Sequence, residues 1–404
     1  MNGKKSSLSL IFLVVFVDLL GFGILIPILP TFAVKSLHTP ESAIGIVLAV
    51  YSLVQFIFNP IFGSLSDKYG RRKIILITLL LNASGYIIFA FTHSFLMLLI
   101  SRVVAGIGGS SIGVAQAYIA DITTKENRSK GMGMIGVAFG LGFVFGPIMG
   151  GLLSHFGYMV TGFVAAGFSF LAFSFSLFLL PESLTEAQKN LVVKRKIFDA
   201  ASFKKVLSNR LISVVILLFF VVTFSVANIF GTFALLGHYV YGFTDMQNGM
   251  VFGIMGIIGA AVQGGLIGRL SKKYSDQKLI SFGTFFLMIG LALIPYGINL
   301  TGVLLITALM SVGTGILQPT LLSLVSKVAP ENEQGIVLGV NQSFSSFARM
   351  LGPLWGGFSY QYLGYQIPFL TGAFFVLLVF LFSIFYLHNH LSTMAQPIAQ
   401  SEEV

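Results

Sequence analysis

Gly63-Ser-Leu-Ser-Asp67-Lys-Tyr-Gly70-Arg71-Arg72-Lys73 is a short, charged break between two long apolar runs. Each run, at about 43–65 and about 74–93, is long enough to cross a bilayer as a helix, which takes about 20 apolar residues. Gly63 and Gly70 suit a tight turn between two such helices. Asp67 suits a helix N-terminus, where the dipole favours a carboxylate, and Arg71 offers a forked donor to a carboxylate, with Arg72 beside it in the same basic turn. Asp121, at the end of another apolar run, is the candidate acceptor.

Outward from this break the same alternation fills the chain. Spans are expected at about 8–33, 43–65, 74–93, 95–120, 131–155, 158–180, 211–238, 246–268, 279–298, 301–327, 335–360 and 366–387. Of the 404 residues, 55% are hydrophobic and only 9% charged. A soluble domain carries roughly 25% charged residues, so a water-soluble protein is excluded. The absence of cysteine excludes disulfides and thiolate metal sites. The first apolar run is too long for a signal-peptide core and is read as a retained span.

The net charge of +10 would suggest nucleic acid in a soluble chain, but its placement says otherwise. Of the 24 Lys and Arg, all but Lys35, Arg102 and Arg349 fall before the first span or in alternate loops on one side. The positive-inside rule puts those loops and both termini in the cytoplasm. A basic stretch, Val192–Arg210, divides the chain near its middle. The expected organisation is a six-helix half at 1–182, a cytoplasmic linker at 183–210, a second six-helix half at 211–390 and a polar tail at 391–404.

The halves repeat one another. Gly146-Pro147-Ile148-Met149-Gly150-Gly151 returns as Gly352-Pro353-Leu354-Trp355-Gly356-Gly357. Glu126-Asn127 returns as Glu331-Asn332, and Gly63-Ser-Leu-Ser66 as Gly268-Arg-Leu-Ser271, in near-constant register. Duplicated halves around a central site are how many secondary transporters are built. In the second copy of the charged break, Lys272 stands in place of Asp67, and a Lys272–Asp276 pair is expected if that loop is helical.

Asp18, among 14 acids, is the one placed deep in a span. Insertion scales put such a residue at about +2.5–3.5 kcal/mol, so it is expected to face protein or water and to carry a proton. Arg102 and Arg349 are the deep cations. Gln55, Gln116, Asn228, Gln263, Gln318, Asn341, Gln342 and Arg349 are candidates to line a cavity, each equally compatible with an interhelical hydrogen bond. The 41 phenylalanines suit a lipophilic cavity. Gly109-Ser-Ser111-Ile-Gly113 matches a nucleophile-elbow pattern but follows no strand, and no catalytic cluster or metal-ligand set accompanies it. No enzyme, cofactor or nucleic-acid partner is expected.

Taken together these stretches resemble the major facilitator superfamily, in its twelve-span drug/proton antiporter branch and closest to the tetracycline/proton antiporters. The supporting residues are Asp18 to Pro30, Gly63 to Lys73, Arg102 to Gly109, Ala117 to Thr123, Gly146 to Gly151 and Leu180 to Ser183. The resemblance implies an all-α membrane protein of about 12 helices in two pseudo-symmetric halves. It implies that Gly63, Asp67, Gly70, Arg71, Arg72 and Asp121 form a latch between conformations. Arg102, about 10 Å from Asp18 along the membrane normal at 1.5 Å per residue, would join it in proton coupling. Gly142, Gly146, Pro147, Gly150 and Gly151 resemble an antiporter packing motif. The expected activity is proton-coupled efflux of small lipophilic or amphipathic compounds, driven by the proton gradient, by a monomer in a bacterial inner membrane. Tetracycline exporters also use acids in the third span, where Gly85 stands here, and in the ninth, so the cargo stays open. A proton symporter or facilitator for a polar nutrient is the alternative, and a non-transporting receptor the remote one.

Overall fold

The computed structural model describes residues 2–123, 125–184, 200–329 and 334–387, and among these there are helices and no strand. Eleven helices are long and apolar enough to cross a membrane. In the first part of the chain they are span 1 (Asn2–Leu25), span 2 (Glu41–Tyr69), span 3 (Arg71–Ala90), span 4 (Phe95–Ile122), span 5 (Lys125–Ser154) and span 6 (Tyr158–Leu179). In the second they are span 7 (Arg210–Tyr239), span 8 (Asp245–Lys273), span 9 (Asp276–Tyr296), span 10 (Leu300–Val328) and span 12 (Ile367–Phe385). Between the last two lies span 11 (Gln334–Tyr362), equally long but more polar, which brings the helices to twelve. The linker residues 185–199 and the tail from 388 onward lie outside the described residues, as do Glu331 and Asn332 of the repeat.

Three helices break where the sequence reading had them continuous. Span 1 stops at Leu25, and a short helix, Leu29–Leu37, follows a turn at Ile26–Ile28. Pro27 lacks the donor that would continue the helix, and Pro30 sits in the first turn of the next one, where that donor is not needed. Span 4 breaks at Gly109–Ser110, after three glycines in four residues. Span 8 widens into a π turn at Val262–Leu266, around Gly264 and Gly265.

Close packing explains the repeated glycine motif. In the first half a Cβ on Gly146 would stand 2.7 Å from the Cα of Gly23, and one on Gly142 2.6 Å from Cβ of Leu19. Spans 1 and 5 therefore touch backbone to backbone, with Gly150 seated on the Ile24 carbonyl. In the second half Gly352 and Gly356 pack the same way on span 7, against Phe224 and Asn228. The last glycine of each motif turns to the other half. A Cβ on Gly151 would lie 2.8 Å from Cα of Met246 in span 8, and one on Gly357 3.0 Å from the Gly45 nitrogen in span 2. Small residues let helices approach this closely in lipid, where apolar burial alone gives no preference for protein over acyl chains.

These cross-half contacts gather at the membrane face away from the basic loops. Gly253 and Gly256 of span 8 meet Ile148 and Phe143 of span 5, and Ala260 reaches Gly140. Beyond that level Gly264 and Gly268 of span 8, with Gly63 and Gly113 of the first half, have no heavy atom within 4 Å of where a Cβ would stand. The molecule is closed at one face and splayed at the face carrying the basic loops.

Gly146→Leu forces spans 1 and 5 apart, and overpacking of this kind costs typically about 1–3 kcal/mol. The purified variant is expected to melt several degrees below wild type in a thermal unfolding assay, whereas Gly113→Ala, at an open position, leaves the midpoint in place.

Candidate functional site

Asp18 lies at the meeting point of three helices. It is 4% exposed and accepts hydrogen bonds from Nδ2 of Asn82 in span 3 at 2.7 Å and from the Ser111 hydroxyl of span 4. Gly108 brings spans 3 and 4 together, since a Cβ there would lie 2.8 Å from Cα of Asn82. The break at Gly109–Ser110 starts a new helix at Ser111, which is how that hydroxyl comes to face span 1. Both partners are neutral donors, and among the described residues no cation pairs with Asp18. A carboxyl group held this way is equipped to take up and give up a proton, because its neighbours do not commit it to a salt bridge.

Arg102 is buried one layer away. Its Nε faces the Ser101 hydroxyl at 3.3 Å, and its guanidinium lies over the rings of Phe89 at 5.6 Å and Tyr86 at 6.0 Å. Its Nη2 has no partner. Among the described residues Arg102 and Asp18 form no ion pair. Instead Arg102 joins Phe22, Leu25, Ile26, Leu29, Leu48 and Tyr51 around a small cleft. The Tyr51 phenol lines the same cleft as Arg102. Gln55 fixes it, donating from Nε2 to the Tyr51 hydroxyl at 3.0 Å and to the Gly109 carbonyl at 2.9 Å. Tyr51 and Asn82 were not singled out in the sequence, and Ser111 only as the centre of the rejected nucleophile-elbow pattern. A hydroxyl or amide on an otherwise apolar helix face was the signal available.

The second half contributes Arg349, which donates to Ser345 at 2.8 Å and Ser346 at 3.0 Å on its own helix. Asn341 is buried with an unpartnered Oδ1. Gln116, Gln263, Gln318 and Gln342 are exposed. Asn228 donates to the Pro368 carbonyl at 2.5 Å, so it knits spans 7 and 12 together.

The charged break forms a compact cluster within the first half. Arg71 pairs with Asp67 at 2.5 Å and Asp121 at 3.1 Å and donates to Ser66 at 2.6 Å. Glu182, beyond span 6, accepts from the Arg71 backbone at 2.9 Å and crowds Gly70, whose φ of 100° belongs to glycine. Ser183 donates to Asp121 at 2.9 Å, and Arg72 to the Leu177 carbonyl at 2.5 Å. These bonds all stay within the first half and tie the end of span 6 to spans 2, 3 and 4. In the second copy Asp276 pairs with Lys327 at 2.7 Å rather than with Lys272. The helix ends at Lys273 and restarts with Ser275 as its cap, so Lys272 and Asp276 do not share a helical face.

At the closed face, Asp245 at the start of span 8 accepts from Thr31 at 2.8 Å and from the Tyr158 hydroxyl at 3.0 Å. The Ser42 nitrogen donates to Oε1 of Gln361 at 2.9 Å. These polar ties cross between the halves beside the glycine seams, and the sequence reading passed over them as span ends.

The model of the Major Facilitator Superfamily matches residues 11–353 and again 264–402. Multidrug resistance protein 2 of Bacillus subtilis is 30% identical over 380 residues, covering 92% of this chain and 93% of its own length. The class H tetracycline resistance protein of Pasteurella multocida is 30% identical over 376 residues, covering 89% and 90%. Among solved structures, the human organic anion transporter MFSD10 (TETRAN) superposes with a TM-score of 0.70 at 26% identity, over 94% of this chain and 99% of that one.

Gly357→Val places a branched side chain in the seam between spans 2 and 11. The chain has no native cysteine, so accessibility is readable from one introduced at Gln263, on the open face. Thiol labelling at Gln263→Cys is expected to slow when Gly357→Val is added, because wedging the closed seam favours the opposite opening.

Proposed function

The chain belongs to the major facilitator superfamily and is a multi-pass membrane transporter; from that premise we propose that it exports small lipophilic or amphipathic compounds in exchange for protons, with Asp18 as the proton carrier. The observation that carries this reading is the seat of Asp18, fully inside the protein and bonded to neutral donors from spans 3 and 4. Relatives named for multidrug and tetracycline resistance support export of small organic molecules.

In the proposed cycle the two faces open in turn. The basic loops mark the cytoplasmic face, so the conformation described here is open inward. Asp18 releases its proton toward the cytoplasm, and cargo enters between the halves. The seams of Gly151 on span 8 and Gly357 on span 2, with the Asp245 and Gln361 ties, then part as the cytoplasmic ends of the helices come together. In that state the Gly63–Lys73 break approaches the second half and acts as a latch. Cargo leaves, Asp18 takes a proton from outside, and the outer seam closes again. Ligands move this equilibrium only through their different affinities for the two states. A proton falling through about one pH unit and about 100 mV supplies roughly 3.7 kcal/mol, enough for a cargo gradient of roughly 500-fold if the cargo is neutral. The chain is proposed to work as a monomer in a bacterial inner membrane.

Inside-out vesicles carrying wild-type protein are expected to accumulate a transported dye when the lumen is acidified. Asp18→Asn should abolish that accumulation while leaving dye-for-dye exchange measurable. Accumulation that persists in Asp18→Asn would contradict the assignment of the proton to this residue.

A further inference from the structure

The cleft beside Tyr51, lined by first-half residues, has the wrong sign for the lipophilic cations that a buried acid would attract. One arginine lines it, and a second lies on span 11 of the other half. Arg102 is 3% exposed, yet its Nη2 has no hydrogen-bond partner while the side chain lines the cleft. Arg349, on span 11, is held by two serine hydroxyls of its own helix. Among the described residues neither arginine forms an ion pair with a carboxylate. The acid of the region, Asp18, is turned away toward Asn82 and Ser111. A buried cation with an empty donor is left incomplete unless something fills it, and a forked donor fits a carboxylate or a similar oxyanion.

Beside the arginines runs a chain of rings drawn from both halves. Phe22 stacks on Tyr51 at 5.2 Å and meets Phe143 edge-on at 6.0 Å; Phe143 reaches Phe230 at 6.0 Å, and Phe230 stacks on Phe252 at 6.2 Å. These residues lie on spans 1, 2, 5, 7 and 8, so the row crosses from one half to the other at the level of the cleft.

We propose that the cargo is an amphipathic organic anion, whose carboxylate-type group is taken by Arg102 and Arg349 and whose aromatic or lipophilic body lies along the row from Tyr51 to Phe252. This rests on the export reading for the direction of movement alone. Proton and cargo then occupy separate places, Asp18 and the arginines, and are linked through the change of conformation rather than by replacing one another on one carboxylate. An anion leaving as a proton enters carries positive charge inward on both counts, so an inside-negative potential drives export.

The test compares two dyes built on the same xanthene ring, the fluorescein anion and a rhodamine ester cation, by fluorescence polarisation with the purified full-length chain. Wild type is expected to bind fluorescein, and the rhodamine ester is not expected to displace it. Arg102→Gln and Arg349→Gln should each weaken fluorescein binding by at least about tenfold, and Arg349→Lys should recover most of the loss. Wild-type preference for the rhodamine ester, binding of neither dye, or fluorescein affinity indifferent to both glutamine variants would overturn the proposal. The comparison on wild type holds even if a variant fails to fold. The vesicle assay with Asp18→Asn separates the two readings. Anion binding without proton exchange refutes antiport and leaves the cargo class standing, while proton-driven export of the rhodamine ester does the reverse.

Discussion

A bilayer core solvates no charge, and the placement of three side chains follows from that constraint. Asp18, Arg102 and Arg349 sit at the level where spans from both halves converge, away from lipid. Each is housed differently. The acid rests on neutral donors from two neighbouring helices. One arginine lies over aromatic rings, and the other is braced by serines one turn back on its own helix. Had Asp18 and Arg102 formed a buried ion pair, each would have fixed the other, and separating them would have cost several kcal/mol. In the proposed cycle, keeping them apart leaves the acid available to a proton and the arginine to a ligand.

The glycine motif carries the mechanical counterpart of this arrangement. In each half two of its glycines weld the fifth helix to the first, and the final glycine presses on the other half. The same six residues therefore make each half rigid and supply the seam along which the halves separate. A seam of bare backbone is held by short contacts and a few polar ties, such as Asp245 with Thr31 and Tyr158.

Twelve spans were legible because hydrocarbon thickness imposes a length that few other segments meet. The exception in hydropathy is span 11, which carries Asn341, Gln342 and Arg349 and packs against spans 2 and 7. Asp18 and the arginines were legible as rare charges in apolar runs. Their partners were not, since Asn82, Ser111 and Tyr51 look in sequence like any interhelical hydrogen bond or packed ring. The break at Pro27 could have been read from proline chemistry, whereas the turn at Gly109–Ser110 depends on how closely spans 3 and 4 approach. Lys272 and Asp276 have helical spacing, but the Ser275 cap between them starts a new helix and gives Asp276 to Lys327.

The central claim is that Asp18 carries a proton in one conformation and gives it up in the other. Infrared difference spectroscopy of the carboxyl C=O stretch follows this directly, by pH titration of wild type, Asp18→Asn and the wedged Gly357→Val protein. A band from a buried protonated carboxyl is predicted in wild type and absent in Asp18→Asn, with a midpoint displaced when the wedge shifts the conformational balance. A band that survives in Asp18→Asn, or one whose midpoint ignores the wedge, would contradict the account.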